Sequence, residues 1–352
     1  MKFAQLNRWL PRIERELARA YAAETRRAPR FADATGVLHE FTLRGGKRFR
    51  ALLVLAGYRI ATHRDPAPVL PAAAALEHFQ SWMLIHDDII DHADTRRGGP
   101  TVHRELEAEH LQRQWAGASL AYGAGMAITL GDLQEPYTVR SLLAVRVAAD
   151  RKIRAVEEYA RMTRDTAYGQ LLDIRSGVRP VEEVTEEDVL LVHRLKTSVY
   201  TVASPLRIGA ILGGGRHGLL AELEALGVDL GVAFQLRDDV LGAGLDAGQS
   251  GKSANDLVEG KRTLLVVRAY RAADEEGRRV FREVLGSPQA TPEALDRVRE
   301  LIRTTGSLAY SEARIEELSR RAFRRIERSK LLRDGDRELL REVGDRLVHR
   351  SM

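Results

Sequence analysis

The sequence predicts an all-α protein, on three observations. Apolar residues recur every three or four positions through most of the chain. Alternating strand patterns, with Asn-Gly or Asp-Gly turns between them, are nearly missing. The breakers "RGGKR", "RRGGPT", "SGVRP", "GGGRHG", "AGLDAGQSGKS" and "GSPQATP" fall between the periodic runs, not inside them. No fixed-period repeat, low-complexity segment or interdomain linker interrupts the pattern. One all-helical domain is therefore expected over residues 1–352, with the C-terminal helices at 290–350 part of it.

The elements follow in order. "MKFAQLNRWLPRIERELARAYAAE" reads as an amphipathic helix with Leu6, Leu10, Ile13 and Leu17 on one stripe. It has no apolar core of a signal peptide, and Glu14, Glu16 and Glu24 argue against a transit peptide. Segments 49–61, 69–90, 155–177, 199–214 and 219–242 are long, Ala/Leu-rich and uninterrupted. The middle ones are apolar nearly all round, which predicts a central position. Segment 293–329 carries charge pairs three and four apart on most faces, which predicts one long peripheral helix.

Composition narrows the function. Apolar residues make up 44%, enough for a sizeable core. The 55 basic residues nearly balance 50 acids, leaving a net charge of +5 and a mixed surface without a basic tail. A nucleic-acid reader would interleave bases with exposed aromatics, yet aromatics are only 6% and the bases sit in short islands beside acids. There is no cysteine, which removes disulfides and thiolate metal sites and fits a reducing cytoplasm. No run is long and apolar enough for a transmembrane helix.

Two acidic clusters carry the chemistry. In "LIHDDIIDHADTRRGGPTVH", Asp87 and Asp91 are one helical turn apart and Asp88 is adjacent. Three carboxylates at the end of an apolar helix repel one another unless a cation joins them. Mg²⁺ takes such oxygens and keeps positions open for phosphate. Taken alone, such a cluster also reads as a solvated helix end. A second pair, Asp238 and Asp239 in "FQLRDDVLGAGLD", again ends an apolar helix. Here the position four beyond Asp238 is Gly242, and Asp246 is a candidate substitute. If the two helices are neighbours, the carboxylates face each other across a cavity fit for metals holding a polyphosphate.

The bases fit an anion. "RGGKRFR" places Gly45, Gly46, Lys47, Arg48 and Arg50 just before a helix, where backbone amides add donors. Arg96 and Arg97 follow the first acids at once, and "LKTS", "SGKS" and "EGKRT" bring Lys196, Lys252 and Lys261. Diphosphate clamping suits these islands. A rival is a His/Asp metallohydrolase, because His86, His92 and His103 flank the first acids. No histidine stands near Asp238 and Asp239 in the sequence, which disfavours it.

From about residue 40 to 270 the chain resembles the trans-isoprenyl diphosphate synthases, the polyprenyl synthetases. "GGKRFR", "HDDIIDHADTRRGGPTVH", "LKTS", "FQLRDDVLG" and "GKSANDLVEGKRT" occur in the family's order. The resemblance implies an orthogonal helix bundle around a central cavity, the isoprenoid synthase fold. It implies that Asp87, Asp88, Asp91, Asp238 and Asp239 bind three Mg²⁺, with Mn²⁺ able to substitute. Arg96, Lys196 and Lys261 match contacts to the allylic diphosphate, with Lys252 near another. Gly46, Lys47, Arg50, His78 and Arg97 match the isopentenyl diphosphate pocket. Thr197 and Gln235 match polar residues near the reacting carbons, and Gln170 and Asp173 a further polar pair. Trp82 and Met83, just before the first acids, match a tunnel floor that favours short products. Two departures stand out: Gly242 replaces the last acid of the second motif, and "GKSANDLVEGK" is one residue short of the usual interval and lacks its inner glycine.

The resemblance thus implies condensation of isopentenyl diphosphate with dimethylallyl, geranyl or farnesyl diphosphate. The expected product has fifteen to twenty carbons, geranylgeranyl diphosphate being preferred. It further implies a homodimer in the cytoplasm, with no nucleic acid and no stable membrane insertion. Alternatives are a class I terpene cyclase on the same fold and a non-catalytic subunit of a heteromeric synthase. Cyclases need no second diphosphate pocket, whereas Lys47, Arg50, His78 and Arg97 are all present. Non-catalytic subunits usually lose acids from the first motif, and all three are kept.

Overall fold

A computed structural model describes residues 3–245 and 255–348. Helices joined by short turns make up two compact units. One comprises Ala4–Glu158 and Pro205–Arg216; the other comprises Tyr159–Ser204 and the chain from His217 onward.

In the first unit, α1 (Leu10–Arg27), α2 (Ala32–Leu43), α3 (Phe49–Thr62), α5 (Val102–Gln112) and α6 (Ser119–Leu143) all pack on α4 (Leu70–Ile90). Helix α4 is central because it is apolar on nearly every face: Ala72, Ala73, Ala75, Leu76 and Phe79 are all fully buried. Each leucine or phenylalanine so placed contributes on the order of 1.5–3 kcal/mol of transfer free energy. The N-terminal stripe is confirmed in Leu6, Ile13 and Leu17, while Leu10 is only partly covered. The turns before α1 are 3₁₀ rather than α, over Phe3–Trp9, because Pro11 withholds an amide from the first turn.

One small strand pair breaks the helical rule. Thr95–Arg96 and Gly99–Pro100 run antiparallel, with Thr95 opposite Pro100 and Arg96 opposite Gly99. The two turn residues, Arg97 and Gly98, both have positive φ (53° and 76°), as the tightest hairpins require. The guanidinium of Arg44 braces this ribbon: Nη1 donates to the Pro100 carbonyl at 2.6 Å.

In the second unit, α10 (His217–Gly242) is the centre. It is flanked by a π-helical stretch at His193–Ala203, and by α12 (Leu264–Ala272), α15 (Ser307–Arg328) and α16 (Asp334–Val348). The π stretch continues α8 (Glu186–Val192), whose N-terminus is closed by a reciprocal Thr185–Asp188 capping box. It presses so closely on α10 that a Cβ at Gly231 would lie 2.5 Å from Ser198 Cα. Helix α7 (Ala149–Val178) starts in the first unit and ends in the second; α9 (Ser204–Leu212) follows the π stretch. The remaining helices are α11 (Asn255–Val258), α13 (Glu275–Val284) and α14 (Pro292–Thr304).

Two expectations need correction. Segment 293–329 is two helices, α14 and α15, broken at Thr305 and Gly306, where Gly306 takes φ 75°. Nor is it peripheral throughout. The surface of α15 is charged, but Ile315, Leu318, Ala322 and Ile326 form a buried stripe, and the helix packs on α10. Charge on most faces concealed the narrow apolar seam that tertiary contact needs. Segment 199–214, expected as one α-helix, is π-helical up to Ala203 and α-helical only from Ser204.

Candidate active site

The first acidic group sits where α4 ends. Asp91 closes the helix, its amide bonding the Asp87 carbonyl at 2.8 Å. Asp88 is fully buried, while Asp87 and Asp91 are half-buried. The ribbon returns Arg96 onto Asp88: Nε donates to Oδ1 at 2.8 Å and Nη2 reaches the same oxygen. Burial pushes the Asp88 carboxyl up, and Asp87 adds to this; Arg96 only partly offsets them. Burial would depress Arg96, but Asp88, Asp87 and Asp91 outweigh it and hold its guanidinium above the ordinary arginine range. Arg96 thus lies against Asp88 with Asp87 and Asp91 acting on it as well.

Arg97 turns to the other side, onto the Gly45–Gly46 loop. A Cβ at Gly46, whose φ is 105°, would sit 3.3 Å from the Arg97 guanidinium carbon. The positive φ favours glycine there, and a side chain would press on the Arg97 guanidinium. Although the residue is exposed as a whole, its guanidinium is desolvated against the loop. Desolvation first, then Arg48 and Arg50, push it downward, against Glu77. Arg48 itself is buried on Glu77 at 3.1 Å. Lys47 is exposed and Arg50 half-buried. This corner of the first unit therefore gathers positive charge suited to an anion.

His78 does not belong to that corner. It lies nine positions before Asp87, about 180° around the helix. It is fully enclosed, with Nδ1 3.1 Å from Gln134 Oε1 and 3.2 Å from the Tyr21 hydroxyl. Tyr21 also bonds Thr42 at 2.6 Å, and Thr42 donates to Ser81 at 2.9 Å. The assignment of His78 to a substrate pocket is corrected: it ties α4 to α1 and α6. The residue on the acid face is Gln80, seven positions before Asp87 and eleven before Asp91, within about 20° of both. Its Oε1 is buried without a hydrogen-bond partner. Met83, one turn before Asp87, shares that face, while Trp82 packs edge-on to Phe79 at 6.0 Å and His86 at 6.2 Å.

The second acidic group ends α10. Asp239 is buried; Gln235, one turn earlier, donates to its Oδ1 at 2.9 Å and accepts from Thr197 at 2.9 Å. His193 Nε2 stands 3.1 Å from Asp239 Oδ2. No local pattern signals this histidine, which lies 46 positions away and reaches the acid through the π stretch. From the same stretch Lys196 donates to Asp173 at 2.6 Å; Gln170 is one turn before Asp173 on α7. Lys261 is paired with Asp256 at 2.9 Å and Glu259 at 2.7 Å. Burial would depress its ammonium, but Asp256 and Glu259 hold it above the ordinary lysine range. Lys252 and Asp246 lie outside the described residues.

Both groups fit Mg²⁺. Their donors are carboxylate oxygens, and Asp88 Oδ2 is buried and accepts no hydrogen bond. Among the described residues, no three His, Cys, Asp or Glu already stand in metal-holding geometry. Mg²⁺ takes one or two carboxylates and completes its shell from water and substrate phosphate. Among the described residues no helix is long and apolar enough to cross a membrane.

A helical chain whose two central helices both end in paired aspartates, with the fold of solved isoprenyl synthases, belongs to the class of isoprenoid synthases. More narrowly, the chain belongs to the polyprenyl synthetase family, whose model matches residues 32–302. It is 32% identical over 315 residues to a geranylfarnesyl diphosphate synthase of Aeropyrum pernix, covering 87% of this chain and 91% of that one. It is 32% identical over 314 residues to a geranylgeranyl diphosphate synthase of Methanosarcina mazei, covering 87% and 86%. A crystal structure of geranylgeranyl pyrophosphate synthase from Corynebacterium glutamicum, complexed with isoprenyl diphosphate and magnesium, superposes with a TM-score of 0.89 at 34% identity. That match covers 98% of this chain and 99% of the other.

Proposed function

We propose that this protein is a magnesium-dependent prenyltransferase. It condenses isopentenyl diphosphate with an allylic diphosphate to a product of fifteen to twenty carbons, most readily geranylgeranyl diphosphate. The observation that carries this reading is the buried Asp88, held by Arg96 at the end of α4 beside Asp87 and Asp91, with Oδ2 accepting no hydrogen bond. The family relationship and the geranylgeranyl diphosphate synthases among the relatives support it.

In this reading Asp87, Asp88, Asp91, Asp238 and Asp239 hold Mg²⁺ with the allylic diphosphate. When bound, Mg²⁺ supplies Lewis-acid charge that stabilises the departing diphosphate. Arg96, Lys196 and Lys261 bind its oxygens, so charge developing there meets fixed cations. The carbon–oxygen bond breaks, with its electron pair leaving on the diphosphate. Lys47, Arg50 and Arg97, over the Gly46 backbone, hold isopentenyl diphosphate, and Gln80 takes the role the sequence had given His78. The double bond attacks the allylic carbon, and one proton leaves, to the released diphosphate. Thr197 and Gln235, locked to each other, and Gln170 with Asp173 present polar groups near the reacting carbons. Trp82 and Met83 limit chain growth. Catalysis as a homodimer in the cytoplasm completes the proposal.

The test is mass analysis of products from purified protein incubated with isopentenyl diphosphate, each allylic starter in turn, and Mg²⁺. A twenty-carbon diphosphate that disappears with chelator is expected. Cyclic hydrocarbon formed from geranylgeranyl diphosphate alone, with no elongated product, would overturn it in favour of a cyclase.

A further inference from the structure

The chain's net charge is concentrated in one place. Residues 320–341 hold nine of the 55 basic residues and four of the 50 acids. The remaining 46 bases and 46 acids balance, so the whole net charge of +5 falls in this one stretch. It covers the second half of α15 and the start of α16. Arg324 and Arg328 stand one turn apart on α15 and share a face. Lys330, Leu331 and Arg333 follow in the turn to α16. The buried Ser329 fixes that turn. Its hydroxyl donates to Glu222 of α10 and accepts from the Leu331 amide at 3.1 Å, and its carbonyl accepts from Arg337 at 2.8 Å. Lys330 and Leu331 are left facing water, Leu331 being 52% exposed.

The nearby acids are engaged elsewhere. Glu327 is held by Arg341 and Asp334 by Arg337, both at 2.6 Å, and Asp336 turns inward onto the Arg333 amide. Among the described residues, the side chains of Arg324, Arg325, Arg328, Lys330 and Arg333 enter no ion pair. The negative end of α15 accounts for Arg325 and Arg328, which lie in its last turn, but not for Arg324 or Lys330. Arg333 stands before the N-terminus of α16, where a base is unfavourable. We propose that this basic turn docks the protein on an anionic lipid surface. Clustered lysines and arginines are drawn to such a surface, and an exposed leucine among them adds apolar contact at the acyl boundary. A nucleic acid fits less well. Phe323, the one aromatic residue of the stretch, packs inward on α16, where a Cβ at Gly344 would lie 2.7 Å from its ring.

The inference goes beyond the prenyltransferase reading, and neither substrate nor Mg²⁺ enters its test. Purified protein is sedimented with phosphatidylcholine vesicles, with and without phosphatidylglycerol. Wild type should bind only the anionic vesicles and be released as salt screens the contact. Arg324→Glu/Arg328→Glu/Lys330→Glu should weaken this binding about a hundredfold or more, at about fivefold per base lost. The same charge change at exposed arginines of the first unit, Arg26→Glu/Arg30→Glu/Arg64→Glu, should leave binding close to wild type. Leu331→Ser should weaken it several-fold without changing its salt dependence. Thermal unfolding checks that each variant is folded. If the reversed protein is not, Arg324→Gln/Arg328→Gln/Lys330→Gln takes its place, with binding about tenfold weaker or more. Equal binding to neutral vesicles, no vesicle binding at all, or equal loss in both reversed variants would overturn the inference. Retention of duplex DNA in place of vesicles would overturn it in favour of a nucleic-acid surface.

Discussion

His78 offers the sharpest test of the packing around α4. Its Nδ1 faces Gln134 Oε1, an acceptor, while Nε2 is buried with no partner. Protonating the ring would therefore strand a charged N–H in the core. Burial accordingly lowers the His78 pKa from 6.5 to about 4, the Gln134 bond opposing this only in part. Because the folded value is the lower one, the unfolded chain binds the extra proton more readily. The stability this provides is fully present above about pH 6.5 and is lost as pH falls through that value toward about 4. Between about pH 7 and about pH 5 the loss is on the order of 2 kcal/mol. Urea unfolding of wild type and His78→Gln at these two pH values measures it. Other groups titrate in both proteins and cancel, so the wild type should lose about 2 kcal/mol more than the variant. Equal losses would show that His78 titrates normally and is open to solvent.

Other perturbations follow from the same geometry. Gln80→Ala should raise KM for isopentenyl diphosphate about tenfold with little change for the allylic substrate, checked by steady-state kinetics with each substrate varied. Trp82→Ala should shift the product mass upward; an unchanged product would remove Trp82 from the tunnel floor. Gly231→Ala should destabilise by about 1–3 kcal/mol in denaturant unfolding, because the new methyl group meets the Ser198 backbone.

Much of the fold was legible because helical periodicity is a local signal. The C-terminal ends of α4 and α10 show as apolar runs that stop at Asp87–Asp88 and Asp238–Asp239, and the structure ends both helices within a few residues of them. What was missed depends on direction or distance. His78 drew attention as the chemically versatile residue, yet helical angle alone places Gln80, not His78, beside Asp87. That signal was available in the spacing. The break at Thr305–Gly306 was also visible as a Thr-Gly-Ser sequence, but the surrounding charge periodicity masked it. His193 beside Asp239 had no local trace, because the contact is made through a π-helical stretch that shifts side chains away from the α register.

The Thr95–Pro100 ribbon carries Arg96 and Arg97 on consecutive residues, yet one leans on α4 and the other on the glycine loop. Two guanidinium groups aimed in opposite directions are thus hung from a single hairpin. Deleting or inserting one residue there would rotate both arginines out of place together. Such a chain can tolerate length variation in many of its surface loops, but this bend is fixed to the residue.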